Sequence, residues 1–251
     1  MWTFKAYLKK EFIESLRQYK YLMLAAGIII FALLDPIMLK LLPDILKSQL
    51  PADISALFVT TQKTAVQTYI KDINQIGLLF IIFIFSGTLS DEIHSEKLVF
   101  PYSKGASPKS IVLAKFLSYS LAVCIFTFIG FLANYYYVTI LFEKDPLALA
   151  NLLSSIILVC IYFIFNVSLT LFFSSIFSKG LVGGIITLAV SFGSASLTGL
   201  EAIGRFIPYK LINTANRFNY GESSLTIIFT IFISFLLILF TIVRMNKVEV
   251  I

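Results

Sequence analysis

Residues 147–177 read LALANLLSSIILVCIYFIFNVSLTLFFSSIF, with no Asp, Glu, Lys, Arg or His anywhere in the run. A helix needs about 20 mostly apolar residues to cross the hydrocarbon core. This stretch is long enough to cross with tilt or to project into water. Working outward, five further windows qualify: 21–42, 76–90, 111–142, 181–200 and 223–243. The second is short, but Ala65, Val66, Tyr69 and Ile70 extend it backwards at helical spacing. The sequence therefore predicts an all-α integral membrane protein, residues 1–251 forming one domain of six transmembrane helices.

Composition agrees. Of 251 residues, 58% are hydrophobic and 14% charged, and the mean hydropathy is +0.90. A soluble domain carries about 25% charged residues, so this chain has too little polar surface to wet a globule. The net charge of +6 suits basic anchors at membrane helix ends better than a nucleic-acid partner.

An even number of spans puts both ends of the chain on one side. With that side cytoplasmic, it holds Lys5, Lys9, Lys10, Arg17, Lys20, Lys97, Lys104, Lys109, Lys115, Lys179, Arg244 and Lys247. The outside holds Lys40, Lys47, Lys63, Lys71, Lys144, Arg205, Lys210 and Arg217. The bias favours both termini in the cytoplasm. The apolar run after Ala26 continues to Leu34, so no signal-peptide cleavage is expected. A composition rich in Lys and Ile fits the plasma membrane of a low-GC bacterium.

Residues 1–20 precede the first span. Phe4, Leu8, Phe12 and Leu16 recur at helical spacing among basic residues, the pattern of an interfacial amphipathic helix or a simple anchor. The stretch 40–75 is the largest polar insertion and reads as an extracytoplasmic extension, too short for a core of its own.

Chemical motifs are mostly missing. No G-x-x-x-x-G-K-[ST], H-E-x-x-H or G-x-S-x-G occurs. Cys124 and Cys160 lie in apolar runs, and His94 has no second ligand nearby to make a metal site. Asp35, followed by Pro36, is the one charge well inside an apolar run. It is either a proton or cation site, or a group that reaches the interface at a kink. In the fifth span, Gly180, Gly184, Thr187, Ser191, Ala195, Thr198 and Gly199 fall near one helical face. That face packs closely on another helix, of this chain or of a second copy.

Segment 91–110, DEIHSEKLVFPYSKGASPKS, mixes charges with the apolar patch Leu98, Val99 and Phe100, and then Pro101, Gly105 and Pro108. It reads as a short amphipathic helix and a turn presenting Phe100 for docking, or as a solvated loop.

In this position the segment resembles the permeases of the second ABC exporter family, whose ATPase is a separate chain. Their pattern, E-x-x-S-G-T-L-x-F and then a Ser/Pro-rich turn and basic residues, is met by Glu92, Ser95, Leu98, Phe100, Ser103, Ser107, Lys109 and Lys115. Glu96-Lys97 replaces the Gly-Thr pair. Tyr7–Arg17 resembles the family's interfacial helix, Asp35-Pro36 with Leu42–Leu46 the end of its first span, Ser174–Lys179 its fourth-to-fifth loop, and Gly204–Pro208 its outer segment.

The resemblance implies a non-catalytic permease subunit in which Glu92, Ser95, Glu96, Leu98, Phe100 and Pro101 form the coupling helix. It also implies ABC ATPase partners holding ATP and Mg, a second permease subunit, and no cofactor or metal on this chain. The cargo expected from the aromatic spans is hydrophobic or amphipathic: a peptide, antibiotic or drug. Alternatives are an ion-coupled or passive carrier using Asp35, and a substrate-capture subunit of an importer.

Overall fold

A computed structural model describes residues 2–47, 60–200, 203–218, 220–221 and 223–247. Among them there is no strand, and six helices are long and apolar enough to span a bilayer. A backbone in hydrocarbon must satisfy its own hydrogen bonds, and helices do so within one segment.

The chain opens with α1 (Trp2–Arg17), turns at Tyr19 in the left-handed region (φ 56°) and enters α2 (Lys20–Lys47). The second crossing is composite: α3 (Gln62–Asp72), a π-helical turn (Ile73–Gly77) and α4 (Leu78–Ser86). Ala65, Val66, Tyr69 and Ile70 are all buried. Two short helices follow, α5 (Ser90–His94) and α6 (Val99–Ser103), and then α7 (Pro108–Leu141), α8 (Leu149–Ile176) and α9 (Gly180–Leu197). A 3-10 turn (Gly204–Phe206) and α10 (Lys210–Arg217) lead to the last crossing, α11 (Ser224–Asn246). Much of the expected 40–75 insertion lies outside the described residues. Its far end, from Gln62, is the first part of the second crossing.

Helix α8 is the most enclosed crossing, surrounded by α4, α7, α9, α10 and α11. Ser168 and Thr170 satisfy their hydroxyls on the helix's own backbone, donating to the carbonyls of Phe165 and Asn166. The bundle has two distinct ends. At the distal end the Gln62 side chain ties the α7–α8 loop, donating to Phe142 O (2.8 Å) and accepting from Leu147 N (3.1 Å). At the proximal end lie α1, α5, α6, the α8–α9 turn and the end of α11. There Arg244 and Lys247 share a cleft with Ile93, His94 and Phe177.

Gly180 and Gly184 pack against this chain's own second crossing. A Cβ on Gly180 would stand 2.5 Å from Gly87 Cα, and one on Gly184 3.1 Å from Ser86 Cβ. On the same face, Ser191 donates to Asn166 Oδ1 of α8, and Ala195 is half-buried. Gly180 and Gly184 are thus covered from within the same chain.

Candidate functional site

The proximal end carries a compact ionic cluster built by three stretches far apart in sequence. Helix α1 supplies Tyr7, Lys10, Glu11 and Glu14 on one stripe, α5 supplies Glu92, and the first turns of α7 supply Lys115 and Tyr119. Lys115 Nζ lies 2.9 Å from Glu11 Oε1 and 3.1 Å from Glu92 Oε1. Lys10 bonds the same Glu92 oxygen and reaches Glu14 at 3.1 Å. Tyr119 Oη donates to Glu11 Oε2 at 2.6 Å and stacks on Phe85 of α4, ring centroids 4.3 Å apart.

Glu11, Glu92 and Lys115 are almost wholly buried. Buried charges are tolerable when they are paired and hydrogen-bonded. Burial raises the Glu11 pKa, but the ammonium groups of Lys115 and Lys10 and the bonds from Lys115 and Tyr119 outweigh it. The carboxyl is held down at about 2. Burial works against the charged form of Lys10, yet the Glu92 and Glu11 carboxylates raise its pKa. Burial and the nearby Glu92 push the Tyr7 phenol up to about 12. Although Glu11, Glu14 and Glu92 converge closely, Lys10 and Lys115 already occupy the space between them, so the cluster reads as a clasp and not as a metal site.

The clasp holds a segment that differs from the single amphipathic helix expected. Residues 90–103 form two one-turn helices, because α5 is closed by a left-handed residue, Glu96 (φ 55°). Lys97 N bonds Glu92 O (3.1 Å) and Glu96 N bonds Ile93 O (3.4 Å), the paired bonds of a Schellman helix stop. Ser95 Oγ adds a bond to Asp91 O. The start of α5 is fixed from α8: Ser174 Oγ accepts from the N–H groups of Leu89 and Ser90, both at 3.1 Å.

After the stop the chain turns over. Leu98 is buried in the core at 1% exposure, whereas Phe100 is 70% exposed. Leu98 is thus a packing residue and is not available for docking as expected from its place in the apolar patch. Val99, Phe100 and half-buried Pro101 remain at the surface, with Lys104 Nζ 5.7 Å from the Phe100 ring centroid. Between this edge and α1 runs a groove of about 550 Å³ lined by Tyr7, Lys10, Phe100 and Pro101 among others.

On the stripe of α1 expected to meet the membrane, Phe4 and Leu8 pack partly on the core, and Phe12 and Leu16 are half exposed. Asp35 is 7% exposed, lies beside the Asp72 carboxylate, and its Oδ2 has no hydrogen-bond partner.

Sequence reading singled out Glu92 and Lys115 but not Glu11, Tyr119 or Ser174 as their partners. The available signal is the carboxylate pair, Glu11 and Glu14, set one turn apart in an otherwise basic helix.

A family model described as ABC-2 family transporter protein matches residues 6–203. A comparison with curated proteins finds no match.

Proposed function

The chain belongs to the ABC-2 family of transporter proteins, and on that footing we propose that it is the pathway-forming subunit of an ATP-driven exporter, moved by a separate ATPase chain that grips residues 90–105. One observation carries the reading. Phe100 stands exposed at the proximal end, on a segment whose root, Glu92, is ion-paired to both α1 and a membrane-spanning helix. A force applied at Phe100 reaches α7 and α1 through bonds that resist sliding.

In this account the proximal end faces the cytoplasm of a bacterial cell, as its excess of basic residues supports. Two such permeases, identical or related, enclose the pathway above two ATPase subunits. ATP binding by those partners shifts the helices between two arrangements, which requires the partner to bind one arrangement more tightly than the other. The cargo is hydrophobic or amphipathic, a peptide, antibiotic or drug, in keeping with the aromatic spans. This chain performs no chemistry of its own; ATP and Mg belong to the partner.

The test is co-reconstitution with an ABC ATPase. Hydrolysis stimulated by the permease and ATP-dependent cargo movement support the proposal. Transport that proceeds without any ATPase would replace it with an ion-coupled carrier, for which Asp35 beside Asp72 is the carboxylate pair to test.

A further inference from the structure

Helix α1 carries two stripes. Tyr7, Lys10, Glu11 and Glu14 form one and enter the clasp. Lys5, Leu8, Lys9 and Phe12 repeat the same i, i+3, i+4, i+7 spacing on the other side of the helix. This second stripe overhangs a groove of about 500 Å³ between α1 and the start of the first and third crossings. Its floor includes Tyr21 and Ser118, hydrogen-bonded at 3.1 Å, and Ile125 and Phe126 of α7 line it as well. Phe12 and Phe126 flank the Tyr21 ring at 5.7 and 6.5 Å.

We propose that this groove is a binding site for an anionic phospholipid, its phosphate held between Lys5 and Lys9 and one acyl chain laid along α7.

Charge complementarity is the first argument. Lys5 and Lys9 are exposed and, among the described residues, make no ion pair or hydrogen bond, whereas neighbouring Lys10 is fully engaged in the clasp. Two unpaired ammonium groups one turn apart at the rim of an apolar groove match a phosphate above a hydrocarbon tail. The shape of the floor is the second argument. The groove is open along α7, where Leu121, Ile125, Phe128 and Leu132 are all exposed and follow one helical face. That track runs down the span into the bilayer, so the occupant is a molecule anchored in lipid, and not a soluble one enclosed in a cavity. The volume lies within the range of about 300–1,000 Å³ usual for small-molecule sites. A lipid seated here fastens the far side of α1, so the helix is held by ion pairs on one stripe and by a headgroup on the other. The inference rests on membrane insertion alone and is independent of ATPase coupling.

The test uses the full chain in detergent, titrated with phosphatidylglycerol and phosphatidylcholine of identical acyl chains, with bound lipid counted by native mass spectrometry. The wild type is expected to retain phosphatidylglycerol preferentially. Lys5→Gln/Lys9→Gln is expected to lower that preference on the order of tenfold, and Ala122→Phe, which fills the groove, to reduce binding of both lipids. A control at the same end, Lys109→Gln/Lys179→Gln, is expected to keep the wild-type preference. Equal retention of the two lipids by the wild type, or an undiminished preference in Lys5→Gln/Lys9→Gln, would overturn the proposal. Equal losses in the control pair would overturn it too, since they would assign the preference to diffuse charge. The lysine pair decides the matter even if Ala122→Phe fails to fold.

Discussion

Lys115 and Glu92, separated by 23 positions in sequence, meet at 3.1 Å inside the protein, each almost completely shielded from solvent. Their contact joins the membrane-spanning α7 to the short α5 helix. Glu11 shares the Lys115 ammonium, so α1 enters the same bond set.

Lys115→Met is therefore expected to be costly. It removes one of the two ammonium groups that serve both buried carboxylates and leaves Lys10 to compensate them alone, so the cost is expected at or below the low end of the about 3–5 kcal/mol of a fully broken buried pair. Thermal unfolding in detergent checks this, with Lys109→Met, at an exposed position, expected to change little.

The acid response of Glu11 has a definite sign. Its pKa in the fold is about 2 against an ordinary value of 4.5, so the folded state favours the charged form. The stabilisation is fully present above the ordinary value and is lost as pH falls through the folded one. Wild type and Glu11→Gln are expected to differ in melting temperature by a constant amount above about pH 5, and to converge as pH approaches about 2. A difference that grows on acidification would contradict the charged clasp.

Glu96 occupies a left-handed backbone position, φ 55°. A left-handed non-glycine residue costs roughly 1–2 kcal/mol. Glu96→Gly should raise stability by about 1 kcal/mol, since the Glu96 side chain is exposed and its removal opens no cavity. Glu96→Val should lower stability, because a β-branched residue fits that conformation worst. Chemical denaturation of the three proteins measures both effects.

Gly180 gives a steric prediction. Gly180→Ala drives a Cβ to within 2.5 Å of backbone at Gly87, and α9 must move away from α4. The expected loss is about 1–3 kcal/mol. Gly193→Ala, on the same helix with nothing within 4 Å, is expected to be neutral or slightly stabilising. Equal melting temperatures for the two variants would contradict the packing.

Five crossings were legible because each is a long apolar run, and the second, whose apolar core is short, was extended back to Ala65 by spacing alone. The partners of those runs were not legible. The small-residue face around Gly180 announces a close approach, but its spacing carries no address for Gly87, almost a hundred positions earlier. The clasp was hidden for a similar reason: Glu11 and Lys115 pair across 104 positions, and only the fold supplies that contact. Leu98 and Phe100 look alike in a hydrophobic patch, and the left-handed turn at Glu96 decides that one goes inward and the other outward. Asp35 looked solitary because Asp72 lies just before the short apolar core of the second crossing, in a stretch that reads as polar.

The central claim is that an ATPase drives this chain through the exposed edge at Phe100, and Phe100→Ala tests it most directly. Glu92→Ala is a poorer choice, because it also breaks the buried clasp. Phe100→Ala should insert and melt like the wild type, since the ring is mostly in solvent, while permease-stimulated ATP hydrolysis and ATP-dependent cargo movement both fall at least tenfold, roughly the loss of one interfacial aromatic anchor. A Phe100→Ala protein that remains fully stimulating and fully transporting would contradict the account.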